Sequence, residues 1–398
     1  MKNETESTPS TRNVAIDAYR GFVMILMLAE VLRLSAMSQA YPSSLFWHIL
    51  AFNQSHVEWV GMSLHDTIQP SFTFLVGVAL PYSLRSRVRK GEPFGHTLKH
   101  ILFRSVFLIL LGIFLRSTHS PSTNFTFEDT LTQIGLGYTF AFLLARVAPK
   151  WQWTALTLIL VAYWLAWAIY PAPAATFDYT SVGVSPEWQS HHLLHGFAAH
   201  WNKNSNFGQA VDVWFLNLFP RPTPFRFNEG GYLTLSFIPT LATMMLGIMA
   251  GQWFIESAPN IPIRRFLTAA STLITLGLLF HFAGICPIVK RIWTPSWTLF
   301  SGGVCFLFLA VFAWSIDIKK HTKLALPLVV VGMNSIAAYL IAHLSRELVE
   351  SSFQINLSPH LLNAFGHETE PLVVGTLTLL SYWLMLLWMY KRKIFIRI

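Results

Sequence analysis

Charge is what this 398-residue chain has least of: only 12% of its residues are Asp, Glu, Lys or Arg, where soluble domains carry about 25%. Half of the usual solvating groups is missing, which excludes an ordinary water-soluble domain. Cysteine is nearly absent too. Cys286 and Cys305 form neither a disulfide framework nor a metal-ligand spacing. No phosphate-loop, dinucleotide-binding or G-x-S-x-G pattern occurs, and no internal repeat, low-complexity tract or dividing linker. The opening "MKNETESTPSTRNVAIDAYR" lacks the basic, apolar and cleavage regions of a signal peptide. The first apolar run is therefore expected to be a retained helix, behind a disordered tail over residues 1–11.

What the chain has in abundance is oil: 53% of residues are hydrophobic and the mean hydropathy is +0.46. A membrane span needs about 20 apolar residues, and ten such runs are legible, at about 18–37, 64–84, 101–117, 130–148, 152–170, 232–254, 265–284, 295–315, 325–345 and 372–390. The run "SLFWHILAF" (44–52) is too short to span and reads as interfacial or re-entrant. The expected fold is all-α: a polytopic transmembrane bundle of about ten helices, forming one domain over 12–398. The net charge of +9 does not point to nucleic acid, because the basic residues sit in short segments between apolar runs. With the N-terminus inside, 20 of the 28 Lys and Arg residues fall on the inner side and 8 outside, so both termini are expected to be cytoplasmic. The long connection over 171–231 then lies outside and is expected to form a cap between the fifth and sixth spans.

Ionisable groups within spans cost roughly 2.5–3.5 kcal/mol each on insertion scales and mark cavities or partners. Asp66, Gln69 and Thr73 recur at i, i+3 and i+7, on one face of the second span. Pro70 leaves the carbonyl of residue 66 without its helical donor. A helix-terminal acid favoured by the macrodipole is the plainer reading. His56, beside Glu58 and Trp59, is a candidate general base or nucleophile if Asp66 or Glu58 orients its ring; His65 competes for that role, and a mere loop histidine is the plainer account. Glu30, with Arg33 one turn on, is either an ion pair or a cavity-lining acid. Asn334, with Ser335, reads as helix packing or as a cavity amide. Asp17 and Arg20 at the start of the first span, with Arg85, Arg87, Arg104 and the terminal "KRK", are topogenic charges or an inner anion site. His191, His192, His195 and His200 lack a third ligand type at a recognised spacing, so no metal is expected.

Several stretches in order resemble one family: "AIDAYRGFVMILM", "SHVEWVGMSLHDTIQPSFTFLVG", "GGYLTLSFIPTLATMMLGIMAG", "GMNSIAAYL" and "YKRKIFIRI". Together they are similar to the heparan-α-glucosaminide N-acetyltransferase family, over nearly the whole chain from about residue 12. The resemblance implies an acetyltransferase that takes acetyl-CoA from the cytosol and acetylates an amino sugar across the membrane. It implies a catalytic histidine three positions before a tryptophan, which falls on His56 and Trp59. It also implies an acid within an A-D-L-x-x-P stretch, which falls on Asp66 in "HDTIQP". This sequence departs from the family at Glu30–Val31, where an asparagine is expected, and throughout the outer loop.

These readings together give an acyltransferase of the bacterial inner membrane. Acetyl-CoA is its co-substrate, an extracytoplasmic sugar or glycan its acceptor, the lipid bilayer its surroundings, and a homodimer is the expectation by analogy. Asp17, Arg20, Arg85 and Arg104 are the candidates for holding CoA. Glu30, Glu58, Trp59, Gln69 and Asn334 are the candidates for lining the cavity, around His56 and Asp66 as the catalytic pair. Two rival classes stand beside it. One is a sugar-type transporter that uses Glu30 and Asp66 for substrate or protons; the other is a silent scaffold.

Overall fold

A computed structural model describes residues 13–396; the expected tail over 1–11 lies outside the described residues. Sixteen α-helices carry the chain among those residues. The first seven are α1 (Val14–Leu28), α2 (Leu34–Ala40), α3 (Leu45–Gln54), α4 (Ile68–Arg89), α5 (Phe94–Ser117), α6 (Thr130–Leu144) and α7 (Pro149–Ile169). Two short helices follow, α8 (Pro186–His192) and α9 (Phe207–Leu216). The remainder are α10 (Phe237–Ser257), α11 (Ile263–Phe282), α12 (Pro295–Phe312), α13 (Thr322–Gly332), α14 (Ser335–Asn356), α15 (Pro359–Leu362) and α16 (Glu370–Lys391).

Among the described residues, six segments are long and apolar enough to cross a membrane: α5, α7, α10, α11, α12 with its continuation to Ile318, and α16, the first turn of α10 and of α16 included. Two bent pairs raise the number to eight. This is a multi-pass membrane protein. Ten spans were expected, and the two that fall short do so for different reasons. The second, α4, is 22 residues long, but its polar first turns and arginine-rich end dilute its apolar middle. The fourth, α6, is apolar but only 15 residues long.

Local chemistry sets several helix ends. The Asn13 side chain accepts from the Ile16 amide at 3.0 Å and caps α1. Asp129 caps α6 through the Leu131 and Thr132 amides. Thr294 caps α12 ahead of Pro295, which occupies the first helical turn. The expected first span does not run straight. After α1 a 3-10 turn, Ala29–Leu32, ends at Arg33 in the left-handed region (φ 49°), and α2 departs at 45°. The expected ninth span breaks likewise between α13 and α14, with a 58° bend next to Asn334. The short run expected to be interfacial or re-entrant forms α3, with no buried residue.

Burial locates the core. In α10, 83% of the apolar window is buried, against 22–33% for α5, α7, α11 and α16. α10 is thus the central pillar. The four others present apolar sides outward, as α5 does with Phe103, Val106, Leu110 and Phe114, and these suit lipid rather than water. Against the pillar lies α4, in a contact that tolerates no side chain at Gly77 or Gly247. A Cβ on Gly77 would overlap the Met244 carbonyl, and one on Gly247 the Phe74 carbonyl. Gly21 of α1 and Gly332 of α13 close a second such crossing.

Gly247→Leu should therefore force α4 away from α10 and cost at least the upper end of the about 1–3 kcal/mol typical of overpacking. Thermal unfolding in detergent checks this. A melting temperature equal to that of the native chain would show that the crossing is looser than described.

Candidate active site

Asp66 sits in a 3-10 turn, His65–Thr67, directly before α4. Its side chain is fully buried. A buried carboxylate must be paired and hydrogen-bonded, and this one is. Oδ2 accepts from the Val57 amide at 3.2 Å, the Ser63 amide at 3.0 Å and the Ser63 hydroxyl at 3.0 Å. Oδ1 takes the His56 Nδ1 proton at 2.7 Å and faces the Lys290 ammonium at 3.2 Å. The loop from Ser55 to Asp66 is thus wrapped around one carboxylate.

Lys290 arrives from far along the chain, 234 residues beyond His56. A local pairing delivers it: Val60 bridges Val289, and the Gly61 amide donates to the Ile288 carbonyl at 3.1 Å. Thr294 closes the turn, accepting from the Val289 amide at 3.1 Å and donating to the Pro287 carbonyl at 2.7 Å. The Lys290 side chain is 5% exposed. Its nitrogen lies 2.9 Å from His56 Nδ1 and 3.4 Å from Nε2. The shorter 2.7 Å contact to Asp66 assigns the ring proton to Nδ1 and leaves Nε2 as the basic nitrogen. A cation against the ring opposes a second proton there.

The electrostatics follow from this packing. Burial, together with the Lys290 charge, lowers the His56 pKa, against the pull of Asp66. Burial would raise the Asp66 carboxyl, but the His56 hydrogen bond, the Lys290 cation and the Ser63 amide hold it well below the usual carboxylate range. Burial brings the Lys290 ammonium down to about 8, against the opposing pull of Asp66. At neutral pH the site therefore holds a neutral imidazole between an anion and a cation.

His56 opens onto a cavity of about 490 Å³ lined also by Glu30, Arg33, Gln54, His65 and Arg346. The broken first span creates this wall. Gln54 of α3 donates to the Ala29 carbonyl and accepts from the Leu34 amide at 2.9 Å, satisfying backbone groups that the break at Arg33 leaves open. Glu30 contacts His65, Oε1 to Nε2 at 3.1 Å, and the His65 and His56 rings lie 4.6 Å apart.

The other candidates separate into two groups. Glu58 is not the carboxylate that orients His56; it faces outward, 3.8 Å from Arg291. Trp59 is buried away from the cavity, donating to the Trp201 carbonyl at 3.1 Å and packing on Trp188. Gln69 donates to Gln133 at 3.2 Å, which also accepts from Thr240 at 3.0 Å, while the Thr73 hydroxyl is buried without a partner. His195 lies outside α8, so it shares no helix face with His191.

Asn334 is far from this group. Its amide clamps the chain end, donating to the Ile394 carbonyl at 2.9 Å and accepting from the Ile396 amide at 3.1 Å. Gly375, near the opposite end of α16, lies against Val31 beside the cavity wall. At 1.5 Å per residue that helix separates the two ends by about 24 Å. Asp17 pairs with Arg20 at 3.4 Å near Gly332. Arg85 is exposed near the end of α4 remote from Asp66, about 26 Å along the helix. Arg104 stacks on the Tyr138 ring at 4.6 Å and donates to its hydroxyl at 3.0 Å, and its Nε is buried without a partner among the described residues.

Sequence reasoning placed Lys290 only among the outer charges. The available signal was its position: a basic pair, "KRIW", in a segment expected on the outer side, where such residues are expected to be scarce.

With this geometry in hand, two curated proteins are informative. Heparan-alpha-glucosaminide N-acetyltransferase of Mus musculus is 22% identical over 433 residues, 99% of this chain and 62% of that protein. The Homo sapiens protein of the same name is 22% identical over 426 residues, covering 96% of this chain and 59% of its own length. The similarity is distant but runs the full length of the chain. The chain spans about three fifths of the length of these relatives. No protein-family model matches it.

Asp66→Asn should strand the Lys290 cation and destabilise the fold by about 3–5 kcal/mol, the range for breaking a buried pair. Adding Lys290→Met should recover most of that loss. Thermal unfolding of the two variants beside the native chain decides, and a double variant no better than the single would refute the pairing.

Proposed function

We propose that this protein is a transmembrane acyltransferase that moves an acetyl group from acetyl-CoA to an amino sugar or glycan, with His56 at the reaction centre. The observation that carries the reading is His56, hydrogen-bonded to buried Asp66 and backed by buried Lys290, lining an open polar cleft at one end of an otherwise apolar bundle. The distant similarity to two N-acetyltransferases supports the reaction class. The acceptor and the route of transfer are part of the proposal.

Each residue has a role in this reading. Asp66 fixes the His56 tautomer and orientation, so that Nε2 acts as general base or transient acyl carrier. Lys290 keeps the imidazole unprotonated at neutral pH and stabilises negative charge developing on the acetyl oxygen. Arg104, Arg85 and Arg20 would hold the anionic part of CoA, with Asp17 positioning Arg20. The unpartnered Nε of Arg104 suits an anion. Arg85 lies toward the other end of α4, with Arg104 and Arg20 at intermediate levels, so the acetyl group must travel on a thin arm between helices. The donor's pantetheine chain is such an arm.

Purified protein in nanodiscs with acetyl-CoA and glucosamine should release CoA, and His56→Ala should reduce the rate by about 10²–10⁴-fold. Turnover unaffected by His56→Ala would move the centre elsewhere. Absence of both CoA binding and CoA release in the native protein would favour the transporter class.

The pH profile follows from the two shifted groups. His56 works as the neutral ring, and its pKa is lowered, so the acid limb should lie below the ordinary histidine value of about 6.5. Lys290 works as the cation and loses its proton near pH 8, so the rate should fall above that pH. In Lys290→Met the basic limb should disappear and the acid limb should move to higher pH, because the charge opposing His56 protonation is gone. An unchanged profile in that variant would contradict the role of Lys290.

A further inference from the structure

The cavity holds a second carboxylate–histidine pair that the reading above does not use. We propose that Glu30 and His65 form the acceptor subsite, binding a primary amine as its ammonium and taking its proton during transfer. The inference rests on the acyltransferase reading and deepens it.

Four observations converge. His65 Nε2 lies 3.1 Å from Glu30 Oε1, an ion-pair contact that occupies Nε2 and leaves Nδ1 as the ring nitrogen open to a ligand. His65 Nδ1 makes no hydrogen bond among the described residues, although the side chain is only 7% exposed. The His65 ring lies 4.6 Å from that of His56, and both rings face the same cavity as Glu30. The two arginines beside Glu30 are already engaged, for Arg33 and Arg346 both pair with Glu350. Glu30, whose side chain is 46% exposed, is thus a carboxylate facing the cavity with no arginine or lysine paired to it among the described residues.

A structural pair at a helix break is the plainer account. It does not require charge at the cavity surface, and the break is already satisfied by Gln54. A cationic acceptor does require it.

The chemistry closes without a further reactant. The ammonium held by Glu30 releases one proton, to His56 in direct transfer and to solvent in the two-step route, and the nitrogen lone pair attacks the acetyl carbon. The N–C bond forms, and the bond from that carbon to its carrier breaks. The carrier is the CoA sulfur in direct transfer and the His56 nitrogen in the two-step route, and the electron pair leaves on that atom. The remaining surplus proton of the amine passes to His65 Nδ1 and from there to the departing thiolate or to solvent. Around His65 the charged and titratable groups include Glu30, His56, Asp66, Lys290, Arg33 and Arg346.

The test is steady-state kinetics in nanodiscs with two probe nucleophiles. Glucosamine enters largely as an ammonium, whereas hydroxylamine is mostly uncharged at neutral pH and depends little on a base. In His65→Gln and Glu30→Gln, kcat/KM for glucosamine should fall by about 10²-fold or more, while the KM for acetyl-CoA and the hydroxylamine rate stay within about threefold. Size-exclusion and melting profiles establish that the variants fold; His65→Gln keeps a hydrogen-bonding group toward Glu30 without a base. Equal losses with both nucleophiles, or no loss with glucosamine, would overturn the proposal. No CoA release by the native protein with either nucleophile would instead remove the acyltransferase reading beneath it.

Discussion

A single buried carboxylate organises one end of this bundle. Asp66 gathers five donors from four residues: the side chains of His56, Lys290 and Ser63 and the backbone amides of Val57 and Ser63. An unsatisfied anion at this depth would cost several kcal/mol, so the loop from Ser55 to Ser63 has few other conformations. The same constraint draws in the turn that carries Lys290. Whatever the bound molecules are, the relative positions of His56, Asp66 and Lys290 follow from satisfying this charge.

The cavity beside that charge exists because two spans break. Continuous helices would pack Glu30 and Arg33 against neighbours along the bundle. The left-handed turn at Arg33 instead swings α2 outward, and Gln54 satisfies the backbone groups that the break opens. The second bent pair meets the first through Glu350, which holds Arg33 and Arg346 together at the rim. Non-helical backbone at membrane depth is tolerated where it lines a polar cavity, and here it does so. The polar wall is thus a consequence of helix breaks tied together by side chains.

Much of this was legible in the sequence, for a physical reason. In a chain with so few charges, a His and an Asp at the mouth of an apolar run stand out, and His56 and Asp66 are in fact bonded to each other. Most of the expected helices also stand where the apolar runs are. The misses share a cause. Hydropathy reports composition along the chain and nothing about direction, so neither bend was visible. Lys290 looked like an ordinary loop charge because its partners lie far away in sequence. Asn334 looked like a cavity amide, yet both of its polar atoms are used by the chain end. Trp59 fits the motif spacing, but it packs against Trp188 as wall behind the site.

Distance along α4 imposes the last constraint. Asp66 precedes the helix and Arg85 lies near its other end, about 26 Å away at 1.5 Å per residue. Arg104, set ten residues into α5, carries its unpartnered nitrogen between those levels. Of the arginines proposed to hold the anion, Arg85 is therefore separated from the His56 imidazole by most of the thickness of a bilayer core, about 30 Å, with Arg104 at an intermediate level. A compact donor held at one end could not reach His56, and one held beside His56 would gain nothing from those arginines. Only a donor that is anionic at one end, slender in the middle and reactive at the tip uses both ends at once. Acyl-CoA, the donor of the proposed reaction, has that shape, and Arg85 is the residue whose distance from His56 calls for it.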